Sequence, residues 1–239
     1  MNGVSNWSAY KNFDYRFVDD QIFDLVPIAY RNKTKERLPV LSDLARLIMA
    51  RDLIFEGYEK VIWIDADVLI FDQDHFDIIN EEDFCFCREI WIQHSANGGV
   101  KVFRNVHNAV CFFVKGNSFL EFYIDACLQV VEGIENNKAM VNQLVGPKLL
   151  TSLHNMIGYP LIENVGMFSP LVLQDIESQM GGTALDLLIH ELPAPMQAAN
   201  LCSSLVGGVV NGIDLNHTKM ERIVDLLLKT KGGKLNFYK

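Results

Sequence analysis

Two carboxylates one residue apart, Asp65 and Asp67, interrupt the apolar run VIWIDADVLIF at residues 61–71. An acid set in an apolar stretch needs a counter-charge or a cation, because a bare carboxylate is seldom buried. Val61–Ile64 reads as a fully buried strand, with Val68–Phe71 as its continuation or partner. In open α/β sheets, ligands are held where such strands end. The chemistry that fits is a hard divalent cation, Mn²⁺ or Mg²⁺, carrying a phosphate-bearing substrate. Spacing alone is a weak signal, since Asp72 and Asp74 repeat it just downstream; those two read as solvated turn residues. The apolar setting singles out the first pair.

Asp43 and Arg46 lie three residues apart, ahead of that strand. Pro39 precedes a helix that Ser42 can cap, with Asp43 in its first turn. Leu44, Leu47, Ile48 and Phe55 then repeat at helical spacing until Gly57. On one helix face the acid and the base can form a local ion pair. They can equally face the mouth of the sheet, where Asp43 would accept from substrate hydroxyls and Arg46 would donate to a sugar or phosphate.

From Leu38 to Phe71 the chain resembles the core of glycosyltransferases that carry a DXD sugar-binding motif. These include the yeast Golgi mannosyltransferases, bacterial capsule and lipopolysaccharide transferases, and glucosylating clostridial toxins. The matching pieces are S-D-x-x-R at Ser42–Arg46 and D-x-D at Asp65–Asp67, in that order and spacing. A looser likeness covers Asn108-Ala109 opening a strand, the helix after Gly116, and Gly146-Pro147 before LLT. The resemblance implies a GT-A-like α/β fold, with a mixed, mostly parallel central sheet flanked by helices. It implies transfer of a sugar from a nucleotide-diphosphate donor to a glycan, lipid-linked or protein acceptor, with retention of configuration, in polysaccharide biosynthesis. By analogy Asp65 and Asp67 are the catalytic pair. Asp67 ligates the cation, and Asp65 shares it and contacts ribose or sugar. Ser42, Asp43, Arg46, Asn108, Gly146 and Pro147 line the donor site.

The chain departs from that pattern twice. Its start, SNWSAYKNFDYRFVDD, looks like the segment after the family's first strand, so the sheet is expected to lack that strand. The late His or Asn that completes the metal site usually comes with a Trp, and here the segment reads AANLCSSLVGG. Asn200 is the expected third ligand, with His190 and His217 behind it. In the loop HSANGGVKV, Asn97 reads as part of a hairpin connection, although it could also serve an acceptor.

The remaining elements must position these groups. A short helix is expected at 5–11, a strand at 14–20, and a helical pattern from Asp20 that Pro27 disturbs. Strands follow at 84–92, 100–105 and 108–116, and helices at 118–132, 148–156, 170–179 and 183–190. An amphipathic helix through Met220, Ile223, Val224, Leu227 and Leu228 ends at Gly232-Gly233. No repeat or linker divides residues 1–239, so one domain is expected.

A net charge of −9 and a pI near 5.1 argue against nucleic acid or an anionic membrane as the main partner. A local metal and a few basic side chains can still reverse the field for a phosphate. Five cysteines form no CxxC; Cys85 and Cys87 alternate with Phe84 and Phe86 and read as small buried hydrophobes in a reducing cytoplasm. No secretory signal or membrane span is expected, although peripheral membrane association is compatible with the sequence.

Two other readings compete. The chain could be a truncated or degenerate transferase domain that binds or assembles without catalysis. Haloacid-dehalogenase-type phosphatases also end a strand with D-x-D and use the first Asp as nucleophile. They carry Thr or Val where this chain has Leu69, and their motif lies near the start.

Overall fold

The computed structural model describes residues 2–78, 81–135, 140–179, 181–210 and 212–236. An N-terminal helix α1 (Asn2–Tyr10) is followed by chain without regular secondary structure, not the strand expected at 14–20, and then a 3-10 turn at Asp20–Leu25. Helix α2 (Ile28–Thr34) begins directly after Pro27, the residue expected to disturb the pattern.

Helix α3 (Leu38–Glu56) starts before Ser42, with Pro39 in its first turn, so Ser42 lies inside the helix and caps nothing. Proline suits that turn because its missing N–H would have no intrahelical partner there. Val40, Leu44, Leu47 and Ile48 are buried, whereas Phe55 is 75% exposed near the end of the helix. Gly57, with φ of 115°, closes the helix in the left-handed region that other residues rarely adopt.

The apolar run expected as one strand is two. Strand β1 (Lys60–Ile64) stops before Asp65, and β2 (Val68–Ile70) joins a different sheet. β1 is half-buried along its length, not fully buried, because it forms an edge of its sheet. Strand β3 (Phe84–His94) turns through Ser95–Gly99 into β4 (Val100–Val114), which unites the two strands expected at 100–105 and 108–116. Asn97 is exposed in that turn.

Helices α4 (Phe119–Glu132) and α5 (Leu149–Ile157) follow. After them come the short strands β5 (Leu161–Ile162) and β6 (Val165–Met167) and helices α6 (Pro170–Glu177) and α7 (Thr183–Glu191). Strand β7 (Ala198–Asn200), the hairpin of β8 (Gly208–Val210) and β9 (Ile213–Leu215), and helix α8 (His217–Thr230) complete the order.

The fold is mixed α/β. Its larger sheet runs β1-β4-β3-β5, a second runs β2-β7-β6, and β8-β9 stands apart. The sheets are not mostly parallel: among the described residues only β3–β5 and β6–β7 are parallel, and the other four pairings are antiparallel. The reason is the β3–β4 hairpin, which sets a long antiparallel strand in the middle of the sheet.

Alternation along β1 sends Val61 and Trp63 to one face and Ile62 and Ile64 to the other. The first face packs on α3, α4 and α5, with Leu44, Leu47, Tyr123 and Leu150 at its centre. The second meets the smaller sheet through Val68, Ile70, Val165 and Ala198. A further core joins α6, α7 and α8 to Ile90 and Ile92. None of the five cysteines is in a disulfide, and Cys85 and Cys87 are fully buried on the same face. Among the described residues no helix is long and apolar enough to cross a membrane.

Candidate active site

Helix α3 brings Ser42, Asp43 and Arg46 against β1 and β4. Asp43 and Arg46 are buried, at 4% and 6% exposure. The Arg46 guanidinium is the hub of the cluster. Its Nη1 donates to the Asn108 carbonyl at 2.7 Å and lies 3.0 Å from Asp65 Oδ1. Its Nη2 lies 3.5 Å from Asp43 Oδ1 and donates to Ser42 Oγ at 3.3 Å. Its plane stands 5.4 Å from the Trp63 ring centre. The fork geometry of arginine lets one side chain serve two acids and a carbonyl at once.

Each acid has a second donor. Asn108 Nδ2 reaches Asp43 Oδ1 at 2.8 Å, and Trp63 Nε1 reaches Asp65 Oδ1 at 2.6 Å. Gly146 closes the space beside Asp43: a Cβ there would come within 2.4 Å of Oδ2. That contact, and not φ, demands glycine, since its φ is −84°. Pro147 is half-buried beside it, in the turn Leu144–Lys148.

Across Ala66 the chain makes a tight turn. Asp65 N–H donates to the Ala109 carbonyl at 2.7 Å, and Val68 N–H returns to the Asp65 carbonyl at 3.1 Å. The Asp67 side chain therefore points to the end of β7. There Asn200 Nδ2 donates to its Oδ1 at 2.6 Å, while the N–H and hydroxyl of Ser203 donate to Oδ2 at 3.0 and 3.1 Å. Cys202, with φ of 50°, folds back to give its N–H to Asn200 Oδ1 at 2.7 Å. Asp67 and Asn200 thus meet, as do Ser42, Asp43, Arg46, Asp65, Asn108 and Gly146. His190 and His217 do not join them. His190 is largely exposed beside Glu191 at the end of α7, and His217 is exposed at the start of α8.

Burial raises Asp43 to about 6, outweighing the lowering by Arg46 and Asn108. Burial also raises Asp65, with Asp67 adding to it and Arg46 and Trp63 opposing. Arg46 is held charged: burial opposes this, but Asp65 and Asp43 more than offset it.

Three carboxylates against one guanidinium leave an excess of negative charge that suits a cation. Asp65, Asp67 and Asn200 offer oxygen donors, the set a hard ion such as Mg²⁺ or Mn²⁺ takes. Asn200 presently turns its Nδ2 to Asp67, so offering Oδ1 would require its carboxamide to reverse. Among the described residues no three His, Cys, Asp or Glu side chains group as metal ligands.

Sequence reasoning missed Trp63 and Ser203. Trp63 reads as one more strand hydrophobe, although its spacing of two from Asp65 places both side chains on one side of β1. Ser203 lies in the same AANLCSSLVGG segment as Asn200, and only the turn at Cys202 reveals its role. No family model matches the chain, and no curated protein or solved structure does.

Proposed function

We propose that this chain is a metal-dependent glycosyltransferase of GT-A-like fold that moves a sugar from a nucleotide-diphosphate donor to an acceptor. One observation carries this reading. S-D-x-x-R, D-x-D, Asn108, Gly146 and Asn200 come from five separate chain segments and meet around Arg46 and Asp67. A structural ion pair would need only Arg46 and one acid. Here, one guanidinium bridges two acids, a carboxamide and a glycine lie against the first of these acids, and a third acid stands at the rim.

In this reading Asp67 and Asp65, with Asn200, hold Mn²⁺ or Mg²⁺, which offsets the charge of the departing diphosphate. Asp43 accepts from hydroxyls of the donor sugar, and Arg46 fixes Asp43 and Asp65 while its charge draws the donor in. Asn108 orients Asp43, and Gly146, with no Cβ, lets the carboxylate pack directly against the turn that carries Pro147. The cytoplasm is the compartment this reading favours.

Titration calorimetry of UDP and GDP in the presence of Mn²⁺, then of EDTA, tests the proposal. Binding of one nucleotide that needs the metal and falls at least tenfold in Asp67→Asn is the expected result. Silence from both nucleotides in a folded sample sinks it. Release of inorganic phosphate from generic esters, without nucleotide binding, would favour a phosphatase.

A further inference from the structure

The outer part of the β3–β4 hairpin packs through one face. Ile90, Ile92 and Val102 enter the core with α6, α7 and α8, and Arg104 pairs with Glu191 of α7 on that side. Alternation sends Glu89, Trp91 and Gln93 to the other face, in register with Asn105, Phe103 and Lys101. Trp91 and Phe103 are half-buried partners across the two strands, yet neither joins any of the cores among the described residues. The indole N–H donates to Gln93 Oε1 at 3.0 Å, which turns its edge toward the hairpin tip. The ammonium of Lys101, an exposed residue, stands 4.6 Å from the Phe103 ring centre. At the inner end is Glu89, 7% exposed. Its Oε1 accepts from Asn105 Nδ2 at 3.0 Å, while its Oε2 receives no hydrogen bond and, unlike Asp72 Oδ1, is open to solvent. Strand β6 lies against β3 and sets Met167 opposite Asn200 of β7, so this face runs on toward the Asp67 rim. There the Cys202 thiol is raised by burial first, then by Asp67 and by Glu89.

We propose that this face is a saccharide subsite: a sugar ring of the acceptor stacks on Trp91 and Phe103 and donates a hydroxyl hydrogen bond to Glu89 Oε2. A pyranose has an apolar C–H face that covers an aromatic ring and hydroxyls around its rim, the same mixture that this face presents. The open carboxylate oxygen needs a donor, and a hydroxyl brings one without adding negative charge. A phosphate or carboxylate placed here would be repelled by Glu89, Asp65 and Asp67, and a wholly apolar partner would leave Oε2 unpaired. A lone hard cation would find a single free oxygen. At the outer end Gln93 and Lys101 offer polar groups to a second sugar unit, so the acceptor is a glycan longer than one residue. That this glycan is an acceptor rests on the transferase reading, whereas its binding does not.

An array of immobilised oligosaccharides, probed with the labelled full chain in Mn²⁺ and UDP or GDP, tests this. The expected result is binding to one structurally related set of glycans, with a loss of at least tenfold in Trp91→Ala and in Glu89→Gln. Phe55→Ala removes an exposed aromatic on α3 and should bind as the parent does. Glu89→Gln keeps the side-chain size and an oxygen for Asn105, so it tests the carboxylate even if Trp91→Ala fails to fold. Equal binding by the parent and both variants would put the glycan elsewhere and overturn the proposal. A silent array would overturn it too, and if calorimetry still finds metal-dependent nucleotide binding the transferase reading stands without it. Glycan binding by a chain that takes no nucleotide would keep the subsite and sink the transferase reading. Weaker nucleotide binding in Trp91→Ala, with no glycan bound by the parent, would give the aromatic face to the base of the donor.

Discussion

At one end of the β2–β7 ladder, Asp67 has both carboxylate oxygens occupied by Asn200 and Ser203; at the other, Asp72 keeps one oxygen without a donor. Asp67 is half-buried, and its donors come from the single segment Asn200–Ser203. Asp72 is buried, and its donors come from an adjacent turn and from the far end of the chain. An acid served by one turn can exchange those hydrogen bonds for a ligand when the turn shifts. An acid with an orphan oxygen sealed from solvent offers nothing to exchange and carries a desolvation cost instead. The first end can therefore trade its partners, and the second ties β2 and β7 to the end of the chain.

The strongest way to break this contrast is Arg46→Met. It leaves Asp43 and Asp65 buried without their counter-charge and should cost about 3–5 kcal/mol in urea unfolding. A loss below about 1 kcal/mol would mean that Arg46 does not hold the cluster together.

Titration of Asp43 sharpens the comparison next. Its value in the folded chain is about 6, above the ordinary 3.8, so the fold favours its neutral form. The stability this gives is fully present below about pH 3.8 and is lost as pH rises through 6. Roughly 1–3 kcal/mol should disappear over that window, and Asp43→Asn should flatten the dependence. Melting temperatures across pH 4–7 measure it; an equal slope in the variant would assign the effect to another group.

Gly146→Ala has a smaller reach. The added Cβ meets Asp43 Oδ2, so the loss should be about 1–3 kcal/mol of stability through overpacking, with nucleotide affinity falling alongside. Unchanged stability would show that Asp43 can turn aside freely.

The helix that ends at Gly57, the D-x-D pair and the S-D-x-x-R pair were all legible in the sequence, because each depends on spacing within a few residues. The meeting of Asp67 with Asn200 was legible only through resemblance, since nothing local links positions so far apart. The strand directions were misread because β4 joins two segments that look separate in sequence, and its central place forces antiparallel neighbours. Asp72 was misread for a related reason. Its neighbours Gln73 and Asp74 are turn-like and polar, and its burial rests partly on Asn236, 164 residues away.

These separations bear on how the chain assembles as it is made. The contacts of Asn108 with Arg46 and Asp43 span 62 and 65 positions, whereas those of Asn200 and Ser203 with Asp67 span 133 and 136. Contacts between distant positions form late, because closing long loops costs entropy before any contact repays it. During synthesis from the N-terminus, the Arg46 hub can close once β4 and Gly146 have emerged, while Asp67 waits for the last quarter of the chain. A ribosome-stalled chain ending near residue 190, its final stretch still inside the exit tunnel, would thus hold its buried charges paired while the rim of the site stood open.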